Sequence, residues 1–435
     1  MERADLILTD IDFVLTMDEN FTEYKNTSIA IKDGKIVDIG EDVKNKYFGK
    51  TIVCKGKIAI PGLINTHTHA AMTLLRGYGS DNPLKVWLEE YIWPVEGQFV
   101  SYEFVKEGTQ IAVYEMLRNG VTTFVDMYFY ENAVADVLNQ VGMRGVLSTG
   151  ILDFPTPGAK TPDEGIAKTE EFIKEHKGSE YIYPAIGPHA PYTCSPETLK
   201  KAMDVAEKYD VLLHTHLAET EDEEKYCLER FGMRPVDYME SLGWLNNRVW
   251  FAHLVWLTNA DIEKLAKTDS GMAHCPSSNM RLGSGIAPVY KMKNKMRIGI
   301  AVDGSASNDT GNMLAEIRNT LLLQRVKYGA SALTPYEVLK MATIGGAQIL
   351  RMNDYIGTLE EEKAADFIGF KLDRLEFSGG LSDPVSALVM CDAKKVDLSV
   401  INGEIRIRDG IILDDELPIF IKRHNLYSKE LLSKL

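Results

Sequence analysis

Apolar positions along the chain change period between its ends and its middle. Near the start, SIAIKDGKIVDIG alternates apolar and polar residues on either side of Asp33-Gly34, and LSVINGEIRIRDGII repeats the pattern around Asn402-Gly403 near the end. A period of two marks half-buried strands, and Asp-Gly and Asn-Gly are favoured two-residue hairpin turns. Two such hairpins so far apart predict one small sheet domain built from both termini. Between them eight β-rich apolar runs recur: IAIPGLINTH, GVTTFVDMYF, RGVLSTGIL, YIYPAIGPHA, VLLHTHLAE, VWFAHLV, SGMAHCPSS and IGIAVDGS. Helical patterns fill the gaps, as in PETLKKAMDVAEKY, where Ser195 is placed to cap the helix before Pro196.

Eight strand–helix units predict an α/β fold: a (β/α)8 barrel of the TIM type over residues 61–356. Residues 1–60 and 357–435 are assigned to a discontinuous β-sandwich domain that includes a closing C-terminal helix. An open doubly wound sheet is the alternative, but no Gly-x-Gly-x-x-Gly follows the first strand to support it. A barrel concentrates its chemistry at the C-terminal ends of its strands. The histidines sort accordingly: His67 and His69 end the first strand, His189 the fourth, His216 the fifth and His253 the sixth, with Asp303 ending the eighth. Of nine histidines, only His176 and His424 lie clearly away from strand regions.

Composition narrows the function classes. With 435 residues, 45% hydrophobic and 26% charged, the chain is long enough for more than one core. A net charge of -15 and the lack of any basic run argue against nucleic acid or anionic membranes as partners. A small molecule is the expected partner. Five cysteines, scattered and never spaced Cys-x-x-Cys, argue against a disulfide framework and against a cysteine-rich zinc site, and suit reducing cytoplasm. MERADLILTDIDFVL reads as a strand and not as an export signal, and no uninterrupted apolar stretch is long enough to span a membrane.

His67 and His69, two apart on one strand face, aim two imidazoles at one point. Adding His216 and Asp303 makes three imidazoles and one carboxylate, a donor set for one divalent metal per subunit, zinc most simply, with iron and manganese accepted by the same donors. Such an ion can lower the pKa of its water from about 15.7 to about 7. His214 shares the inward face with His216, so spacing alone does not separate them; the position at the strand end, beside Glu219, favours His216. Glu219 is the candidate proton shuttle. Its alternative is one more solvated acid in the run ETEDEE. His253 could polarise the water or stabilise a tetrahedral centre, or it could be a packed core residue. Asp303 closes an apolar strand, where an isolated carboxylate is costly unless it is paired or binds a cation.

The runs PGLINTHTHAAMTLLRG, WLEEYIWPVE, FVDMYF, GPHAPYTCS, HTHLAET, FAHL, PSSNMRLGSGIAP and VDGSASND stand in this order along nearly the whole chain. Together they resemble the amidohydrolase superfamily and, within it, the family of 5-methylthioadenosine/S-adenosylhomocysteine deaminases. The resemblance implies a barrel with a β-sandwich built from both termini, and hydrolytic deamination of adenosine derivatives to inosine analogues plus ammonia. It implies Glu219, His253 and Asp303 as catalytic residues, and Trp87, Glu96, His189 and Glu219 as substrate-binding residues, with Glu96 accepting from the ribose hydroxyls. Two-metal relatives bridge their ions with a carboxylated lysine on the fourth strand; here that strand ends GPHAPY without one, which favours a single metal. Family members are often multimeric, so a homo-oligomer is compatible.

One departure bears on substrate choice. Some relatives carry an arginine at the end of the third strand, suited to an amino-acid carboxylate, whereas Thr149 stands here, with Lys160 and Arg144 as possible substitutes. The expectation is therefore a preference for methylthioadenosine or adenosine over S-adenosylhomocysteine. Alternative readings are hydrolysis of another aminated ring, such as guanine or a triazine, and a non-catalytic assembly protein on the same scaffold. Glu96 argues against the first, because a diol acceptor has no purpose without ribose; the retained ligand set argues against the second.

Overall fold

The computed structural model describes residues 1–435. Eight strands form one parallel sheet in chain order: β1 (Leu63–Asn65), β2 (Val121–Tyr128), β3 (Arg144–Ile151), β4 (Ile182–Pro188), β5 (Leu212–Leu217), β6 (Val249–His253), β7 (Gly271–His274) and β8 (Arg297–Ile300). The two edges meet where Thr66 N donates to Ile300 O at 3.2 Å and Asp303 N donates to His67 O at 3.1 Å. These bonds nearly close the barrel and bring the first and last metal-ligand candidates side by side. Val125, Val146, Ala185, Trp250 and Ala273, from five different strands, pack together in its core.

A second, nine-stranded sheet unites the termini. Lys57–Pro61 from the N-terminal part pairs antiparallel with Phe367–Lys371 from the C-terminal part, and Leu8, Ile29, Phe367 and Val400 belong to one apolar core of this sheet. Both hairpin turns form as their sequences predict. Asp33 and Gly34 take φ of 50° and 74°, Asn402 and Gly403 φ of 52° and 78°, the left-handed pair that a tight hairpin needs. The turns also touch: a Cβ on Gly34 would stand 3.0 Å from the Asn402 carbonyl oxygen.

The run IAIPGLINTH, expected as one barrel strand, is divided. Lys57–Pro61 belongs to the outer sheet and only Leu63–Asn65 to the barrel. The break falls at Gly62, where any Cβ would lie 2.1 Å from Thr122 Oγ1, so the chain crosses between sheets at a point too tight for a side chain.

Five of the helices matter below: α1 (Tyr102–Arg118), α2 (Glu221–Phe231), α3 (Asn259–Lys267), α4 (Pro335–Lys340) and α5 (Leu417–Leu432). The closing helix α5 docks on the barrel, although its place in the sequence groups it with the terminal sheet. His424 Nε2 lies 3.1 Å from Thr73 Oγ1, Ser428 Oγ donates to Leu74 O at 2.8 Å, and Arg423 pairs with Glu107 of α1. No helix is long and apolar enough to cross a membrane.

Candidate metal and substrate site

The barrel strands deliver their functional side chains to one rim. His67 and His69 lie just past β1, His189 just past β4, His216 within β5, His253 at the last position of β6, and Asp303 beyond β8. His253 and Asp303 adopt φ of 75° and 66°, a conformation uncommon for residues with a side chain and concentrated at functional sites.

His67 and His69 meet edge-on with ring centroids 4.8 Å apart, and each presents Nε2 3.3 Å from Asp303 Oδ1. The His216 ring stands 4.8 Å from His67 and 5.4 Å from His69. One nitrogen from each of the three falls within a group no wider than 4.8 Å. Backbone carbonyls orient two of the rings: His69 Nδ1 lies 2.6 Å from Met127 O, and His216 Nδ1 2.6 Å from His189 O. A ring donating through Nδ1 leaves the Nε2 lone pair free for a cation.

The electrostatics agree with a cation site. Burial lowers the His67 pKa to about 4 and holds that of His216 well below its ordinary value, so both rings are neutral near pH 7. Burial alone would raise Asp303, but the imidazoles of His67, His253 and His69 around it outweigh that penalty and hold its pKa well below the ordinary carboxylate value. Neither His67 nitrogen makes a well-formed hydrogen bond inside the protein. A buried imidazole left so is costly unless a cation takes its lone pair. The three imidazoles and the carboxylate therefore fit a divalent metal ion.

Two further donors lie close. His214, equivalent to His216 by spacing, stands with its ring 4.8 Å from His67 but stacks on Trp250 at 4.5 Å with planes 14° apart. Cys275 approaches His67 and His253 within 4.8 Å, and burial holds its thiol well above the ordinary range.

A cavity of about 660 Å³, counting its open mouth, lies over this cluster. His69, His216 and Asp303 form its floor with Glu219 and His253, and Trp87, Glu96 and His189 line it as well. Glu219 Oε2 is 3.6 Å from His253 Nε2, while Ser284 Oγ donates to Glu219 Oε1 at 3.4 Å. Burial raises the Glu219 pKa against the opposing pull of His253. Burial disfavours the His253 cation, yet Glu219 and Asp303 together raise its pKa above the ordinary value. A carboxyl and an imidazole in contact, both displaced toward binding a proton, are suited to exchanging one.

Trp87 and Glu96 sit on a helical segment, residues 84–99, that widens to π geometry over Trp87–Ile92. Glu89 and Glu90 face solvent as an amphipathic reading expects, but Glu96 turns inward and is buried. Tyr128, at the end of β2, donates its hydroxyl to Glu96 Oε1 at 2.8 Å. Burial carries the Glu96 pKa up to about 7, with this hydrogen bond pulling the other way. Tyr128, Asn279 and Ser284 were not singled out by sequence reasoning. All three occur inside runs that carry the family resemblance, so the signal existed but no spacing rule picked them from their neighbours. Asn279 Oδ1 lies 2.9 Å from His253 Nδ1 and sets that ring's orientation.

Neither basic substitute for the missing third-strand arginine reaches the cavity. Arg144 begins β3 at the opposite end of the barrel, where it pairs with Asp366 and lies 5.0 Å from the Tyr355 ring, and Lys160 is exposed on a loop. No lysine or arginine lines the cavity at all.

Comparison with known proteins places this architecture. The pattern of the amidohydrolase family matches residues 58–406. The chain belongs to the amidohydrolase family. This amidohydrolase is 42% identical to a 5-methylthioadenosine/S-adenosylhomocysteine deaminase of Aquifex aeolicus, over 100% of this chain and 99% of that one. It is 36% identical to an 8-oxoguanine deaminase of Pseudomonas aeruginosa, over 93% and 95% of the two chains. The crystal structure of a zinc-bound adenosine deaminase from Xanthomonas campestris superposes with a TM-score of 0.97 at 32% identity, covering 99% of each chain.

Proposed function

We propose that this amidohydrolase hydrolyses the exocyclic C–N bond of adenosine derivatives, releasing ammonia and the inosine analogue. 5'-Methylthioadenosine, adenosine and S-adenosylhomocysteine are its candidate substrates. The observation that carries the reading is a single cavity joining the Glu219–His253 pair, the histidine–aspartate floor and the buried Glu96.

His67, His69, His216 and Asp303 would hold one ion, for which zinc is favoured by the nitrogen-rich donor set and by the zinc bound in the Xanthomonas relative. When bound, that ion supplies a lowered pKa to the attacking water. Glu219 takes one proton of the water as it adds at C6 and passes it to the ring nitrogen, and the second, from the new C6 hydroxyl, goes to the departing amine. His253, oriented by Asn279, donates a hydrogen bond to the oxygen at the tetrahedral centre, and Asp303 accepts from that oxygen's proton. Glu96 offers the ribose diol an acceptor-only carboxylate, with one oxygen already engaged by Tyr128. Trp87 and His189 complete the nucleoside pocket. The apolar walls of this cavity favour methylthioadenosine or adenosine, while the adjoining cavity, which shares Leu84, Leu88, Trp93 and Tyr192 with it, carries Lys85, Lys225 and Arg230. Five unpaired cysteines suit a cytoplasmic location.

A second reading, deamination of a free base, draws on the 8-oxoguanine deaminase relative. Ammonia release measured on a panel of adenosine, methylthioadenosine, S-adenosylhomocysteine, guanine, 8-oxoguanine and cytidine, using protein of known metal content, separates the two. Turnover confined to free bases would overturn the nucleoside reading.

A further inference from the structure

Four helices of this chain open with a threonine followed three residues later by an acid; in one, Thr161 Oγ1 accepts from Glu164 N while Glu164 Oε2 accepts from the single backbone N–H of Lys160. In α3, Thr258 and Asp261 form a capping box, the acid returning to the backbone N–H of its own threonine, and Thr334 and Glu337 do the same in α4. At α2, Thr220 and Glu223 repeat the spacing, and Thr220 Oγ1 accepts from Glu223 N at 3.3 Å. The Glu223 carboxylate nevertheless forgoes the box. It reaches further back, Oε1 accepting from Ala218 N at 2.8 Å and Oε2 from Glu219 N at 3.0 Å.

Several features make this bracket unlike a helix cap. Glu223 is 3% exposed within an acidic run whose neighbours Glu221 and Asp222 face solvent. Ala218 is held at φ 53°, in the left-handed region, and its carbonyl accepts from both Val255 N and Trp256 N at 2.9 Å. The turn between β5 and α2 is thus pinned from two sides, and Glu219 is the residue it presents. A carboxylate has two acceptor oxygens and no donor, so it alone satisfies both N–H groups at this reach; a carboxamide would satisfy one and turn its own N–H toward the other.

We propose that Glu223 is a positioning residue for catalysis, holding the backbone of Ala218 and Glu219 so that the Glu219 side chain stays aimed at His253 and the cavity. The inference rests on Glu219 being the proton carrier of the deaminase reading. Its effect should therefore appear in kcat, and most where the leaving group also needs a proton.

The test compares zinc-loaded wild type and Glu223→Gln on methylthioadenosine, whose amine must be protonated to leave, and on 6-chloropurine riboside, whose chloride leaves without a proton. The expected result is a fall in kcat of about 100-fold on the amine. The chloride substrate, which still needs Glu219 to move the water proton to the ring nitrogen, should lose less, about 10-fold, with KM and zinc stoichiometry nearly unchanged on both. No loss on the amine, or a loss carried by KM or by zinc stoichiometry, would overturn the proposal. Should Glu223→Gln fail to fold, Glu223→Asp, which keeps the charge but is one methylene short, carries the same two-substrate comparison. A wild-type enzyme that releases no ammonia from methylthioadenosine sinks the deaminase reading itself, a result distinct from either.

Discussion

His216 is oriented by one hydrogen bond, Nδ1 to the His189 carbonyl, which turns Nε2 toward His67 and His69. Under the proposed ligand set, His216→Ala abolishes deamination and weakens metal binding by more than the roughly 10- to 100-fold typical of losing a mere outer partner. His214→Ala should leave metal stoichiometry intact and cost stability through its lost stacking on Trp250, so elemental analysis of the two variants tests the assignment directly. Glu96 supports a pH prediction. With its pKa raised to about 7, the group is a carboxylate above that pH and a poorer acceptor below it. KM for ribosides should therefore climb as pH falls from about 8 to about 6, while a dideoxyriboside shows no such climb. Glu96→Ala should lower kcat/KM for methylthioadenosine by about 10- to 100-fold, the worth of hydrogen bonds to a charged group, chiefly through KM.

At the scale of elements, the hairpins at Asp33-Gly34 and Asn402-Gly403 were legible because their turns are decided by two residues each. The strand ends bearing His67, His69, His189, His216, His253 and Asp303 were legible because apolar runs end there in polar residues. The division of IAIPGLINTH at Gly62 was not: the reason is a contact with Thr122, some sixty positions away. Arg144 illustrates the same limit, since the sequence left it as a candidate substitute for the third-strand arginine despite an unfavourable spacing, while its pairing with Asp366 ties β3 to the segment entering the terminal sheet. Breaking a buried pair leaves a charge without its partner, so Asp366→Ala should cost about 3–5 kcal/mol, read from the denaturation midpoint, with KM unchanged in the folded fraction.

For the whole molecule, the ligands come from both edges of a nearly closed barrel, so ion binding and barrel integrity are coupled. Chelation should abolish activity and lower the melting temperature. Returning zinc should restore both, with a stabilisation that grows with free zinc and reaches about 2.7 kcal/mol at one hundred times Kd. A melting temperature indifferent to zinc would count against the proposed site.

Sequence by itself determined the class of fold, the two terminal hairpins and the residue types gathered at the rim, because each follows from local periodicity or from short runs. Tertiary structure alone stacked His214 on Trp250, turned Glu96 inward beside Tyr128, sent Arg144 to the far end and buried Glu223 under the Glu219 turn. Those choices depend on which distant strands become neighbours when the barrel closes, and closure is a property of all eight strands that no single segment encodes.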